Sequence, residues 1–180
     1  MKNNLEYQKT EYDCGAQAYI NALSSLFERE EIPPDFIKNI YQYTLDEYGK
    51  EAFHGGTSPN AMRFIVEWMN AYADIKEFPI KCVHMKNYDI SKDSFLYRWI
   101  AEGGVAILRV HFNNFAHYIL VTSVDCEKAY IFDSYIDTNV DSTCNYNATA
   151  FLENMNNNKY ANYYIGDADF KNAFLIKRTH

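Results

Sequence analysis

His117-Tyr118-Ile119-Leu120-Val121-Thr122-Ser123-Val124, then Asp125-Cys126-Glu127-Lys128, then Ala129-Tyr130-Ile131-Phe132-Asp133 is the stretch that decides the fold. Two runs of β-branched and aromatic residues flank a short polar segment, which is the pattern of two strands joined by a tight turn. Immediately upstream, Val105–Val110 is a similar run, and Ile80–Met85 and Ala173–Ile176 read as further strands.

The first half of the chain follows a different period. Ala16, Tyr19, Ile20, Leu23, Leu26 and Phe27 recur at helical spacing behind Cys14-Gly15, with Asp13 as the expected N-cap. Glu30 to Pro34 is a break. A second helix carries Phe36, Ile37, Ile40, Tyr41, Leu45 and Tyr48 and is expected to end near Gly49. His54-Gly55-Gly56-Thr57 reads as a turn, and Ser58-Pro59 opens a third helix with Met62, Ile65, Val66 and Met69 inward. Asp93–Ala101 and Ala148–Met155 read as helices. Helices first and adjacent antiparallel strands later give an α+β layout. With no repeat and no Pro- or Gly-rich linker, residues 1–180 read as a single domain.

Composition narrows the function. Apolar residues make up 48% of the 180, enough for a core without disulfide staples. Aromatics reach 17%, so the core or a cleft should be rich in them. Seventeen basic against 24 acidic side chains leave a net charge of −7, which argues against a nucleic-acid or anionic-membrane partner. No run approaches the roughly 18 apolar residues of a membrane span, and no apolar segment follows the N-terminus as in a secretory signal. A cytoplasmic location is therefore expected. Cys14, Cys82, Cys126 and Cys144 show no Cys-x-x-Cys spacing, so free thiols are the default. The sequence is silent on oligomeric state.

The sharpest chemical signal is Gln8-Lys9-Thr10-Glu11-Tyr12-Asp13-Cys14-Gly15. A cysteine at a helix N-terminus feels the positive end of the aligned peptide dipoles, which favours the nucleophilic thiolate. Gly15 would leave room for a substrate backbone. Gln8 could bring an amide N–H to an oxyanion at the same place. A cysteine nucleophile needs a base, and the base an orienting acceptor. His117 opens an apolar strand and Asp133 closes the next one. Strands joined by a tight turn bring the start of one beside the end of the other, so His117 and Asp133 are expected neighbours. Alone, each would read as an ordinary surface or turn residue. The combination Cys14, His117, Asp133 and Gln8 favours a catalytic reading.

These residues resemble the peptidase C39-like group of papain-like cysteine peptidases. The resemblance rests on Gln8 six residues before Asp13-Cys14-Gly15, on Gly56-Thr57-Ser58-Pro59, on His117-Tyr118 and on Asp133, and so runs from about Gln8 to Ser134. It implies a papain-like α+β fold, with N-terminal helices packed on an antiparallel sheet. Cys14 would be the nucleophile, His117 the base and then acid, Asp133 the orienter. Gln8 and the Cys14 backbone N–H would be the oxyanion donors. The substrate would be a peptide or protein, and no metal or organic cofactor would be needed. Better-known members cut leader peptides after a double glycine as part of an ABC exporter. Neither a membrane span nor an ATPase module is seen in these residues. The family usually has proline after the aspartate, where this sequence has Ser134, a turn position.

Two alternatives share the same residues. A papain-like acyltransferase would pass the thioester acyl group to an amine or thiol, and a non-catalytic domain would only hold a peptide. Among weaker features, His111 is a rival base, ranked lower because His117 has the better downstream partner. Cys82-Val83-His84 puts two metal-type ligands on one strand face but lacks a second pair. His54 reads as a loop histidine, and Trp68 and Trp99 as packing residues.

Overall fold

A computed structural model describes residues 2–48, 55–112, 115–135, 145–157, 162–168 and 170–179. Its centre is a six-stranded, wholly antiparallel sheet: β3 (Ile80–Lys86), β4 (Val105–Phe112), β5 (Phe115–Val124), β6 (Lys128–Phe132), β7 (Ala148–Phe151) and β8 (Asn172–Arg178). The order across it is β3-β8-β4-β5-β6-β7, so the last strand of the chain lies inside the sheet. The β5–β6 turn forms where expected. Asp125 Oδ1 accepts the Glu127 and Lys128 N–H groups, at 2.8 and 2.7 Å.

Both faces of the sheet are covered. On one face α1 (Cys14–Leu26), α2 (Pro34–Tyr43) and α3 (Pro59–Lys76) bring Tyr19, Leu23, Phe36, Ile65 and Met69 onto a core shared with Ile107, Leu120 and Phe174. The other face packs Leu96 and Trp99 of α4 (Phe95–Ala101) with Met155 of α5 (Leu152–Asn156), Tyr163 and Ile165. These meet Leu108, Ile119, Val121 and Leu175. Burial from both sides explains why these strands read as continuous apolar runs rather than alternating ones. Among the described residues no helix is long and apolar enough to cross a membrane.

Four segments differ from the sequence reading. The second helix stops at Tyr43, not near Gly49: Thr44 still donates its N–H (3.0 Å) and its hydroxyl (2.7 Å) to the Ile40 carbonyl, but its own backbone turns extended at ψ 176°. Leu45 then takes a left-handed conformation, φ 63°. Beyond it, β1 (Glu47–Tyr48) pairs with β2 (Gly55–Gly56), so the two glycines form a ladder rather than a free turn; His54 lies outside the described residues. The helix expected over Ala148–Met155 is half strand. Residues 148–151 pair with β6 at the sheet edge, and helix begins only at Leu152. A neighbouring strand edge offers a hydrogen-bond ladder that local propensity cannot register. The helix expected from Asp93 starts at Phe95, where the Ser94 hydroxyl accepts the Tyr97 N–H at 3.1 Å.

Candidate active site

Cys14 is the first residue of α1, and Asp13 does occupy the capping position, but it does not cap. Its carboxylate turns back instead. It accepts the N–H of Lys9 (3.1 Å), the N–H of Thr10 (2.8 Å) and the Thr10 hydroxyl (2.7 Å). Asp13 therefore gives the first turn of α1 no side-chain acceptor, none comes from the other described residues, and its positive end is left facing Cys14. Asp13 works as the clamp of the preceding loop. Gly15 also differs from expectation. A Cβ there would lie 2.7–2.9 Å from three Thr57 side-chain atoms, so its bareness admits Thr57 rather than a substrate backbone.

β5 and β6 bring His117 and Asp133 together. The register sets Leu120 opposite Phe132 and Val121 opposite Ile131. Continued, it puts Asp133 level with Ile119, two residues from His117. The His117 Nε2–H closes that gap to Asp133 Oδ1 at 2.8 Å. Both side chains are buried. The Cys14 thiol is close enough to act on the same ring. With Nε2 taken by Asp133, Nδ1 is the nitrogen left for sulfur. Burial alone would lower the His117 pKa. The hydrogen bond to Asp133, then the nearby Cys14 thiol, and the charges of both outweigh it and push the group up to about 9.

Asp133 is fully enclosed and fully partnered. Oδ1 also accepts the Tyr135 N–H (2.9 Å), and Oδ2 accepts the Tyr163 hydroxyl (2.7 Å). Burial works to raise its pKa, but the His117 hydrogen bond and charge, with the Tyr135 and Tyr163 donors, hold it below the ordinary carboxylate range. Burial first, and then Asp133, push the Tyr163 phenol far up, so it stays a donor. Asn147 brackets the Asp133 backbone, accepting its N–H at 2.8 Å and donating to its carbonyl at 2.7 Å. The Tyr135 ring stands edge-on to His117 at 6.2 Å. Tyr135, Asn147 and Tyr163 were missed from sequence. No period or motif marks them, and Tyr163 lies 30 residues from its partner.

Gln8 is stitched to the residue after Asp133. Its N–H donates to the Ser134 carbonyl (3.0 Å), and its Oε1 accepts the Ser134 hydroxyl (2.9 Å). Nε2 donates to the Thr10 carbonyl at 2.7 Å, which leaves one amide hydrogen uncommitted. Ser134 is thus more than a turn residue, since a proline there would have no hydroxyl to fix the Gln8 amide. Gln8, Ser134 and Tyr135 line a groove of about 450 Å³. Cys14 lines a separate pocket of about 110 Å³, and Glu11 borders both.

The remaining candidates sit elsewhere. His111 pairs with Ala116 across the β4–β5 ladder, and its ring is stacked between Tyr164 (4.6 Å) and Phe170 (3.7 Å). Cys82 is buried against Met69 sulfur, and burial pushes its thiol up. His84 stacks on Phe174 and bonds Asn172 Oδ1 through Nε2 at 2.9 Å. No group of three His, Cys, Asp or Glu side chains that could hold a metal occurs among the described residues. Trp99 is buried in the core and its indole N–H donates to the Ile176 carbonyl (3.3 Å), and Trp68 packs edge-on to Phe36 (5.2 Å). Cys144 lies outside the described residues.

No protein-family model matches the sequence, and a search of curated proteins finds no relative. Solved structures do match. One is a double glycine motif protease from an AMS/PCAT transporter, crystallised in complex with the leader peptide. The likeness has a TM-score of 0.52 and covers 99% of this chain and 96% of that one, at 12% sequence identity. At that identity the shared property is the fold.

Proposed function

We propose that this chain is a papain-like cysteine peptidase in which Cys14 attacks a peptide carbonyl. The observation that carries the reading is one buried imidazole shared between Asp133, at 2.8 Å, and a thiol at an uncapped helix N-terminus. An imidazole that keeps its proton to about pH 9 beside a thiol is the receiving half of a thiolate–imidazolium pair. In the first step the Cys14 Sγ–carbon bond forms and the carbonyl π pair moves onto oxygen. The uncommitted Gln8 amide hydrogen and the Cys14 N–H are the donors for that oxyanion. On collapse the amide C–N bond breaks and His117 gives its proton to the leaving amine. Water, deprotonated by His117, then cleaves the thioester. Asp133 fixes the ring and the imidazolium charge throughout.

A peptide substrate is supported by the likeness to a protease that was crystallised with a leader peptide. The near-complete coverage supports reading residues 1–180 as one domain of this kind. The test is alkylation by iodoacetamide against pH, with the label located by mass spectrometry. Labelling of Cys14 at pH 6, where an ordinary thiol with a pKa of about 8.5 is nearly silent, and its loss in His117→Ala, is the expected result. A Cys14 that is inert, or indifferent to His117, would overturn the peptidase and leave a peptide-binding domain.

A further inference from the structure

We infer that the narrow pocket beside Cys14 selects the substrate by taking a short side chain that ends in an oxygen acceptor, aspartate or asparagine, on the acyl side of the scissile bond. The inference rests on the peptidase reading and adds the substrate class to it.

The pocket floor is a cross-strand pair. Arg109 on β4 stands opposite Tyr118 on β5, so both side chains leave the sheet on the same face. Thr57 closes one side, brought close by the bare Gly15. The Tyr118 and Thr57 side chains are 4% and 5% exposed, and neither hydroxyl has a hydrogen-bond partner. A buried hydroxyl left unpaired is costly, and a ligand that completes it is one explanation for its presence. Arg109 is half-buried, with its guanidinium 4.1 Å over the Phe170 ring. Among the described residues it makes no ion pair. Tyr118, Thr57 and Arg109 thus meet around one small pocket, and an oxygen acceptor is the ligand group that all three can donate to.

Size and side complete the assignment. The pocket holds about 110 Å³ against about 450 Å³ for the groove beyond Gln8, which excludes large side chains from it. His117 must protonate the leaving amine, and its edge-on neighbour Tyr135 lines the wide groove. The wide groove is thus the leaving side, and the narrow pocket takes the acyl part. Arg109 favours a carboxylate there, whereas Glu11 and Glu47, exposed at the rim, favour a neutral carboxamide. Both ligands offer the same acceptor oxygen.

The test uses N-acetyl tripeptide aldehydes that compete with iodoacetamide for Cys14. The residue carrying the aldehyde and the one before it are each varied among Ala, Leu, Lys, Asp and Asn. Thiolate adds to the aldehyde carbon, and the oxygen takes the His117 proton, giving a neutral thiohemiacetal. Asp or Asn at one of the two positions is expected to protect Cys14 at concentrations at least tenfold lower than Ala, Leu or Lys. Tyr118→Phe should abolish that advantage for both, and Arg109→Gln for Asp alone. Protection in each variant is scored against that variant's own alkylation without aldehyde. Equal protection by Ala, or a preference that survives Tyr118→Phe, overturns the inference. A Cys14 that labels in a His117-dependent way but is protected by no aldehyde overturns the pocket and leaves the peptidase standing. An inert Cys14 overturns both.

Discussion

Asp133→Asn isolates the electrostatic core of the site. The substitution keeps shape and removes charge. The new amide can still accept from His117 and the Tyr135 N–H through its oxygen, while its NH2 meets a Tyr163 hydroxyl that can turn from donor to acceptor. What is lost is the larger of the two influences, Asp133 and Cys14, that together outweigh burial and hold His117 protonated to about pH 9. The ordinary histidine value is about 6.5, and with burial opposed by Cys14 alone the variant should titrate roughly 2 units lower than the parent. Two units correspond to roughly 3 kcal/mol of differential stabilisation of the imidazolium. The assay is the His117 Cε1–H resonance followed by NMR from pH 5 to 10.5. Folding stability should move with it. The folded pKa lies above the unfolded one, so this contribution is complete below pH 6.5 and is lost as pH rises through about 9. Urea denaturation of the parent should lose stability across that window, by at most about 1.4 kcal/mol per pH unit for one proton, and the variant should lose less. A parent His117 that titrates near 6.5, or a variant that still titrates near 9, would refute the reasoning.

Four further outcomes follow from the geometry. Tyr163→Phe strands a buried carboxylate oxygen and should cost about 1.5–3 kcal/mol, read as a melting temperature lower by roughly 4–10 °C at pH 7, and should raise the Asp133 pKa. Gly15→Ala drives a methyl to within 2.7 Å of Thr57 and should destabilise by about 1–3 kcal/mol in urea unfolding, with a partial recovery on adding Thr57→Gly. Gln8→Ala should lower turnover of any cleaved peptide by about 10² or more while leaving Cys14 alkylation unchanged. Ser134→Ala should give part of the same loss, and the double variant little beyond Gln8→Ala, because the serine hydroxyl acts through the Gln8 amide.

The three side chains proposed as nucleophile, base and orienter stand out in the sequence because each depends on short-range order. Cys14 stands out by its place at the start of a periodic helix. His117 and Asp133 stand out because a short turn brings the start of one strand near the end of the next, while the bulge between Val121 and Ser123, which puts Asp133 on the face of His117, has no mark in the sequence. The α+β layout follows from the change of period between the two halves of the chain. These properties live in spacing, and spacing is what a sequence contains. Tertiary structure alone decided the rest. It placed β8 inside the sheet, turned residues 148–151 into an edge strand, and stopped α2 at Tyr43. It took the Asp13 carboxylate from the helix end and gave it to the loop, and it filled the space at Gly15 with Thr57. It also enclosed Asp133 with Tyr163 and Asn147, and paired Arg109 with Tyr118 under Cys14. Each of these turns on which distant group reaches a hydrogen-bonding atom or a void first. That competition is settled by packing between segments tens of residues apart, where no local period leaves a mark.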